Sequence, residues 1–316
     1  MAFTRRSLAT CRDALAERIN GVTPFLTDAV APDSLSVVSS QLALALNDTN
    51  RYRNQWVYIL DGAQAGQTRH VGDLSLTTSS GQLKVGPVAY AAPIQNGVNG
   101  RVYKRLPPTS MAGFTGLREC LNMALRELWV VDRLSVAAVT GQPSYDLGSL
   151  FGGLADWLDP QAIVEFYGPQ IAAGLNIIPW SGWNAIQDAE SVQLQVAPGL
   201  TSGQTATLEI TRPANTYIEI GGVWTDNQDG FTADTDECLF RPEVLAEVAL
   251  VYAYTALERV SEGPQKAEWA AERQNQRRLV DGLKLQMLPH PDQRPGPRRP
   301  VTAILTWPGD PKSGWV

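Results

Sequence analysis

Asp226, Asp229, Asp234, Asp236 and Glu237 fall within one short stretch, and closely spaced carboxylate oxygens are what a calcium ion takes as ligands. Their order does not fit the standard calcium loop, which alternates ligand positions before a glycine. A solvated acidic loop is therefore the expected reading, with no bound metal. Arg273, Arg277, Arg278 and Lys284 lie partly on one face of a candidate helix and have the chemistry to contact DNA phosphates. Glu268, Glu272 and Asp281 interleave with them, which favours an exposed face laced by salt bridges. Trp157 and the run Trp180-Ser181-Gly182-Trp183 could stack on sugar rings, but the usual place for tryptophan is a core or a subunit interface.

The groups that catalysis needs do not assemble. His70 sits inside a strand pattern and His290 in a proline-rich segment, and neither has a nucleophile motif beside it. There is no phosphate-binding Gly-Lys loop and no dinucleotide fingerprint; Gly113-Phe114-Thr115-Gly116 reads as a lead-in to a helix. Cys11, Cys120 and Cys238 are odd in number and widely spaced, so reduced, buried thiols are expected rather than a disulfide framework or a zinc site. No catalytic residue, metal or cofactor is expected, and the chain reads as something other than an enzyme.

Composition sets further bounds. The 316 residues are 44% apolar with nine tryptophans, enough for one large or several small buried cores. A net charge of −6 argues against broad neutralisation of a phosphate backbone, although a local basic patch is compatible with it. Arg5 and Arg6 are followed by Asp13, Glu17 and Arg18, which interrupts the apolar core a signal peptide requires, and no run approaches the roughly 20 apolar residues of a membrane span. Synthesis in a cytoplasm and no membrane partner are expected.

The elements that must position these residues alternate in type. Leu8, Cys11, Leu15 and Ile19 share a helical face within residues 4–20, with Thr4 as a cap and Gly21 as a stop, and residues 24–32 read as a proline-broken connector. Strands are expected at 56–60, 68–71, 82–85 and 101–104, separated by Asp61-Gly62, Ser79-Ser80-Gly81 and Asn99-Gly100. Together they predict a small barrel or sandwich. Residues 114–134 predict a second helix with Leu117, Leu121, Leu125 and Leu128 inward, its face packed on the Cys11 face of the first. Alternating runs at 162–167, 191–196, 206–210 and 217–220 predict a second, antiparallel β domain. Pro242 opens an apolar helix, a charged helix follows from Pro264, and residues 289–300 carry five prolines and three arginines, a composition suited to an extended tail.

The fold class is therefore α+β. Residues 1–34 and 108–138 form a helical core, 35–107 an inserted β domain, 139–240 a second β-rich domain, 241–288 the C-terminal helices and 289–316 the tail.

The run from Leu117 to Trp129, Leu-Arg-Glu-Cys-Leu-Asn-Met-Ala-Leu-Arg-Glu-Leu-Trp, resembles the helix of head-to-tail adaptor (connector) proteins of tailed bacteriophages, and Pro143-Ser144-Tyr145-Asp146-Leu147 follows it as there. The module at 56–108, with Gly66-Gln67-Thr68-Arg69-His70-Val71 and Ala92-Pro93, is similar to a small β domain of phage structural proteins. Asp234-Thr235-Asp236 followed by Pro242-Glu243-Val244-Leu245 also resembles the adaptor pattern. The resemblance implies a homo-oligomeric ring, commonly dodecameric, in the virion neck. It would dock to the portal on one side and to tail or neck proteins on the other, with genomic double-stranded DNA passing through its channel without sequence-specific binding. On this reading Arg273, Arg277, Arg278 and Lys284 are candidates for the lumen, and Arg294, Arg298, Arg299, Trp307 and Trp315 for docking to the portal or a neighbour. A different tail or baseplate component, and a glycan-binding host-recognition protein, are the competing readings.

Overall fold

The chain enters its first helix through a serine. In the computed structural model Ser7 Oγ accepts from Thr10 N (3.4 Å) as the cap of α1 (Leu8–Arg18), which follows directly from the short strand β1 (Arg6–Ser7). The structure describes residues 6–19, 21–43, 51–72, 81–111, 113–137, 139–150, 163–168, 182–188, 191–196, 203, 205–214, 218–220, 223–225, 230–238 and 240–287. The expected cap Thr4 lies outside them. Gly21 ends the helix as anticipated: its backbone is left-handed (φ 109°) and its N–H returns to Ala16 O. The described chain is α+β, and it divides into two compact units. One comprises Met1–Leu125, Ile218–Trp224 and Asp229–Asp281; the other comprises Arg126–Tyr217, Thr225–Gln228 and Gly282–Val316.

In the first unit, β2 (Val22–Leu26), β3 (Ser36–Val38), β4 (Trp56–Ile59), β5 (Thr68–His70), β6 (Gln82–Lys84) and β7 (Asn99–Tyr103) build the β module. They form an open four-stranded sheet, β2-β7-β4-β5, and a β3-β6 ribbon. The two share a core that includes Phe25, Val37, Leu42, Val57, Ile59, Leu83 and Val102. Neither sheet closes, so the barrel alternative is not what forms. Two further expectations change. The supposed connector at 24–32 begins inside β2, because Pro24 lies on an edge strand, where the missing N–H breaks no ladder. Asn99 and Gly100 are strand residues rather than a turn, and Gly100 is small because the ring of its cross-strand partner Phe25 lies over it.

The second helix is shorter than its leucine periodicity suggested. α2 spans Leu117–Glu127, and β8 (Trp129–Ala137) follows where a helix to residue 134 was expected. Trp129, Val130 and Val131 favour extended backbone, and pairing with β13 (Thr205–Pro213) over nine residues outweighs the helical spacing of Leu128. The expected pairing of the α1 and α2 faces does not occur either. The partner of α1 is α4 (Pro242–Val260), which buries Leu245, Ala246, Val248, Ala249 and Ala253, while α1 buries Leu8, Cys11 and Leu15. Each fully buried leucine there contributes roughly 2 kcal/mol. Pro242 occupies the first turn as anticipated. α5 (Gly263–Met287) folds back on α4 as a hairpin, with the Tyr254 and Trp269 rings stacked at 5.7 Å.

The second unit contains β9 (Ser144–Asp146), α3 (Leu147–Leu150), β10 (Ile163–Tyr167), β11 (Trp183–Asp188) and β12 (Ser191–Val196) together with β8 and β13. Its antiparallel sheets are β10-β13-β8 and β11-β12-β9. The strict alternation of β12 buries Val192, Leu194 and Val196 against a core with Tyr145, Phe166, Trp183, Leu208 and Ile210. The remaining strands, β14 (Ile218–Ile220), β15 (Val223–Thr225) and β16 (Glu237–Cys238), join a sheet of order β1-β16-β14-β15, so the strand expected at 217–220 pairs with β15 and β16 and, through β16, shares a sheet with β1 rather than with the strands of the second unit.

Two glycines test this packing in opposite directions. A Cβ at Gly100 would lie 2.1 Å from the Phe25 ring, so Gly100→Ala is expected to destabilise the chain by about 2 kcal/mol. Gly282 lies within α5 with nothing within 4 Å of its would-be Cβ, so Gly282→Ala is expected to stabilise by about 0.5–1 kcal/mol. Urea midpoints for the two variants should move oppositely, and equal shifts would contradict both assignments.

Candidate functional site

Arg12 occupies the apolar stripe of α1, four residues after Leu8, and is completely buried. Such a charge is stable only with a partner that satisfies its donors. Asp234 supplies one: its Oδ1 accepts from Arg12 Nη1 at 2.6 Å and its Oδ2 from Nη2 at 3.0 Å, a bidentate fork. Arg12 Nε donates to Tyr103 Oη (2.9 Å), Tyr103 donates to Asp13 Oδ1 (2.7 Å), and Asp13 Oδ2 accepts from Arg101 Nε (2.9 Å). Tyr58 donates to Asp234 Oδ2 (2.8 Å), and its ring lies 4.3 Å below the Arg12 guanidinium carbon. One cluster therefore joins the first helix, two strands of the β module and the turn before α4.

The electrostatics follow from burial and pairing. Burial alone disfavours the charged guanidinium, but Tyr103 and the hydrogen bond and charge of Asp234 outweigh it, so Arg12 holds its proton more tightly than a free arginine. Burial pushes both phenols above the ordinary tyrosine range, opposed by the Arg12 charge and reinforced by Asp234 at Tyr58 and by Asp13 at Tyr103. Near neutral pH Arg12 is therefore charged and Tyr58 and Tyr103 are protonated.

The acidic stretch behaves differently from the solvated loop expected of it. Asp236 is 1% exposed, and its Oδ2 accepts from Thr232 N, Thr232 Oγ1 and Ala233 N at 2.6–2.8 Å. Its carbonyl accepts from Leu8 N (2.8 Å) at the start of α1. Asp234 and Asp236 thus tie a turn to a helix terminus. Among the described residues no group of three or more His, Cys, Asp or Glu could hold a metal; Asp226 and Asp229 lie outside them.

The basic set on α5 is dispersed into pairs. Arg273 Nε lies 3.1 Å from Glu258 on α4, and Arg277 lies 3.7 Å from Asp281 one turn on. Arg278 is exposed, and the side chain of Lys284 lies outside the described residues, as do Arg294, Arg298, Arg299, Trp307 and Trp315. Trp269, Gln276 and Val280 form the buried seam of α5, and Gln276 Nε2 donates to both Glu247 O and Glu247 Oε2 at 2.9 Å. Glu247 also pairs with Arg18 at 2.8 Å, so one carboxylate links α1, α4 and α5. The described tryptophan of the sugar-stacking candidates, Trp183, is 1% exposed and donates its indole N–H to Glu165 (3.2 Å). His70 packs against Trp56 with ring centroids 4.6 Å apart. Arg12, Tyr58 and Tyr103 had not been singled out from the sequence; the available signal was a charge inside the Leu8-Cys11-Leu15 stripe.

Comparison with protein-family models, with curated proteins and with solved structures finds no match to this chain. Among the described residues no helix is long and apolar enough to cross a membrane.

Two measurements probe the cluster. Asp234→Asn leaves the Arg12 charge buried without its counter-charge and is expected to cost about 3 kcal/mol of unfolding free energy; an unchanged urea midpoint would show that the pair contributes nothing net. Because Tyr58 and Tyr103 bind their protons more tightly when folded, the unfolded chain releases protons first as pH rises past about 10. Their contribution is complete below that pH and is lost as pH climbs through the folded values. Thermal midpoints should fall above about pH 10, and less steeply in a Tyr58→Phe/Tyr103→Phe variant.

Proposed function

We propose that this chain is a viral structural protein, a head-to-tail adaptor that forms a ring between the portal and the tail of a bacteriophage. The observation that carries the reading is that the β module, nearly all of α2, and the turn at Asp234 leading into α4 fall within one compact unit. These are three of the stretches that resemble adaptor sequences. The Arg12 cluster holds two of them together, the module through Tyr58 and Tyr103 and the turn through Asp234.

The proposed role is mechanical. Copies associate into a closed ring, commonly of twelve in such adaptors. One face meets the portal, the other meets tail or neck proteins, and genomic DNA crosses the lumen. Electrostatics suit a conduit: a net charge of −6 disfavours tight binding of phosphates. On α5, Arg273 and Arg277 are engaged with Glu258 and Asp281, leaving less positive charge to grip the backbone. The proposed location is the neck of the virion, with docking to the portal or a neighbour through Arg294, Arg298, Arg299, Trp307 and Trp315, where arginine and tryptophan would act as anchors.

Negative-stain images of the purified full-length protein, alone and mixed with portal, are expected to contain rings capping the portal. A monomer that never associates under either condition would end the proposal, and side-on placement at the tail tip would reassign the protein to a baseplate. A chain stopped after Leu288 is expected to lose portal binding; infectious particles built from it would remove the tail from docking.

A further inference from the structure

An open sheet ends in strands whose outer N–H and C=O groups are offered to any further strand that can reach them. In the β module both ends are closed. Along β2, Pro24 has no N–H to offer and Leu26 N donates to Gln41 Oε1 (2.8 Å); along β5, His70 O accepts from Gly86 N (3.0 Å) and Thr68 O from Arg69 Nη1 (2.7 Å). In the second unit β8 is an end strand of the sheet β10-β13-β8. It is nine residues long, free of proline, and paired with β13 in one unbroken register. β10, at the opposite end, has five residues and a register shift after Ile163. Ala214 N donates to Leu128 O (2.8 Å), which sets the phase of the β8–β13 ladder: the backbone groups of Val130, Asp132, Leu134 and Val136 face β13, and those of the odd-numbered residues from Trp129 to Ala137 face away. Pro213, which has no N–H, accordingly stands opposite Trp129. Among the described residues no strand lies along that outer edge, where Ser135 and Ala137 are exposed.

We propose that the outer edge of β8 is a strand-accepting surface and that its occupant is Val301–Trp307 of the same chain. The segment reads Val-Thr-Ala-Ile-Leu-Thr-Trp: seven uncharged residues, five of them β-branched or aromatic, bounded by Pro300 and Pro308, which end a ladder. Val301, Ala303, Leu305 and Trp307 alternate with Thr302, Ile304 and Thr306. An added strand therefore turns an apolar row to the side on which β8 buries Val136 and packs Leu134, and a threonine-bearing row to the side on which Ser135 and Ala137 are exposed. Left unpaired, an uncharged segment of this composition promotes self-association, and pairing within its own sheet removes that hazard. The thirteen residues between Met287 and Val301, five of them proline, span about 40 Å when extended, about the width of a domain of this size. The second unit, which contains β8, also takes in the chain from Gly282 onward. Main-chain pairing supplies the affinity and the alternate side chains the register. The inference does not depend on the adaptor reading. Within that reading it makes Trp307 an internal anchor and leaves docking by the tail to Arg294, Arg298, Arg299 and Trp315.

The test compares the wild-type chain with a full-length variant carrying both Ala303→Pro and Ile304→Pro, neighbouring substitutions that remove a ladder donor whichever residues face β8. Hydrogen exchange resolved to single amides is the readout. In the wild type the outward amides of Val131, Arg133 and Ser135 are expected to be protected, and in the variant to exchange at least about tenfold faster, while Leu134 and Val136, bonded to β13, change little. The Ile59 amide, which donates to Gln67 O in the β module, reports that the variant is folded. If it too loses protection, the chain stopped after Leu288 takes the place of the variant, and a synthetic peptide of residues 299–309 added to it should restore protection along β8. Equal exchange of the outward amides with and without the prolines would overturn the proposal, as would loss of protection at β10 or β11 instead. Wild-type protection that falls on dilution would also overturn it, by assigning the edge to a second copy. The sample contains no portal or tail protein, so a negative result here leaves the ring to be judged by its own test.

Discussion

A single buried guanidinium constrains the first unit of this protein. Arg12 is completely buried, so its charge must be met by the protein: Tyr103 and Asp234 accept from Nε, Nη1 and Nη2, and the Tyr58 ring faces the guanidinium. Satisfying one residue of α1 therefore fixes β4, β7 and the turn before α4 at once. The arrangement is all or nothing: an incompletely paired buried charge costs several kcal/mol, so misregistered packings of the helix on the module are disfavoured together. The fork from Arg12 to Asp234 adds directionality that apolar packing of Leu8 and Leu15 alone would not supply.

Around that centre the unit is braced at further points. Asp236 gathers the 232–236 turn and delivers its carbonyl to the α1 terminus, Asn122 of α2 donates to the Phe231 carbonyl and accepts from Phe231 N, and Glu247 joins three helices. All are side chains of high chemical potential used to hold backbone in place. These polar clasps add directional restraint to the apolar packing of the unit.

Much of the local structure was written in residue patterns. The alternation that makes β12, the turn residues around β4 to β6, the leucine spacing of α2 and the proline that opens α4 are short-range features, decided within a few residues by backbone sterics and by which side chains face inward. Where those signals misled, a long-range partner decided. The helical spacing of Leu128 yielded to nine residues of pairing with β13; Pro24 was accommodated by the accident of an edge; and β16, beside β14, took the distant β1 as its other partner.

The same division holds for the candidate site. Composition and motif spacing by themselves established an α+β chain with a net negative charge and with no motif of hydrolytic, nucleotide-binding or zinc chemistry, because those properties need only counts and near neighbours. Tertiary structure alone decided that Asp234 is a counter-ion rather than a solvated carboxylate and that Arg12 and Tyr103 meet. These pairs are separated by 91 and 222 positions, and each contact follows from helices and strands closing over a common core. No local pattern encodes which distant residue will be there to meet a buried charge.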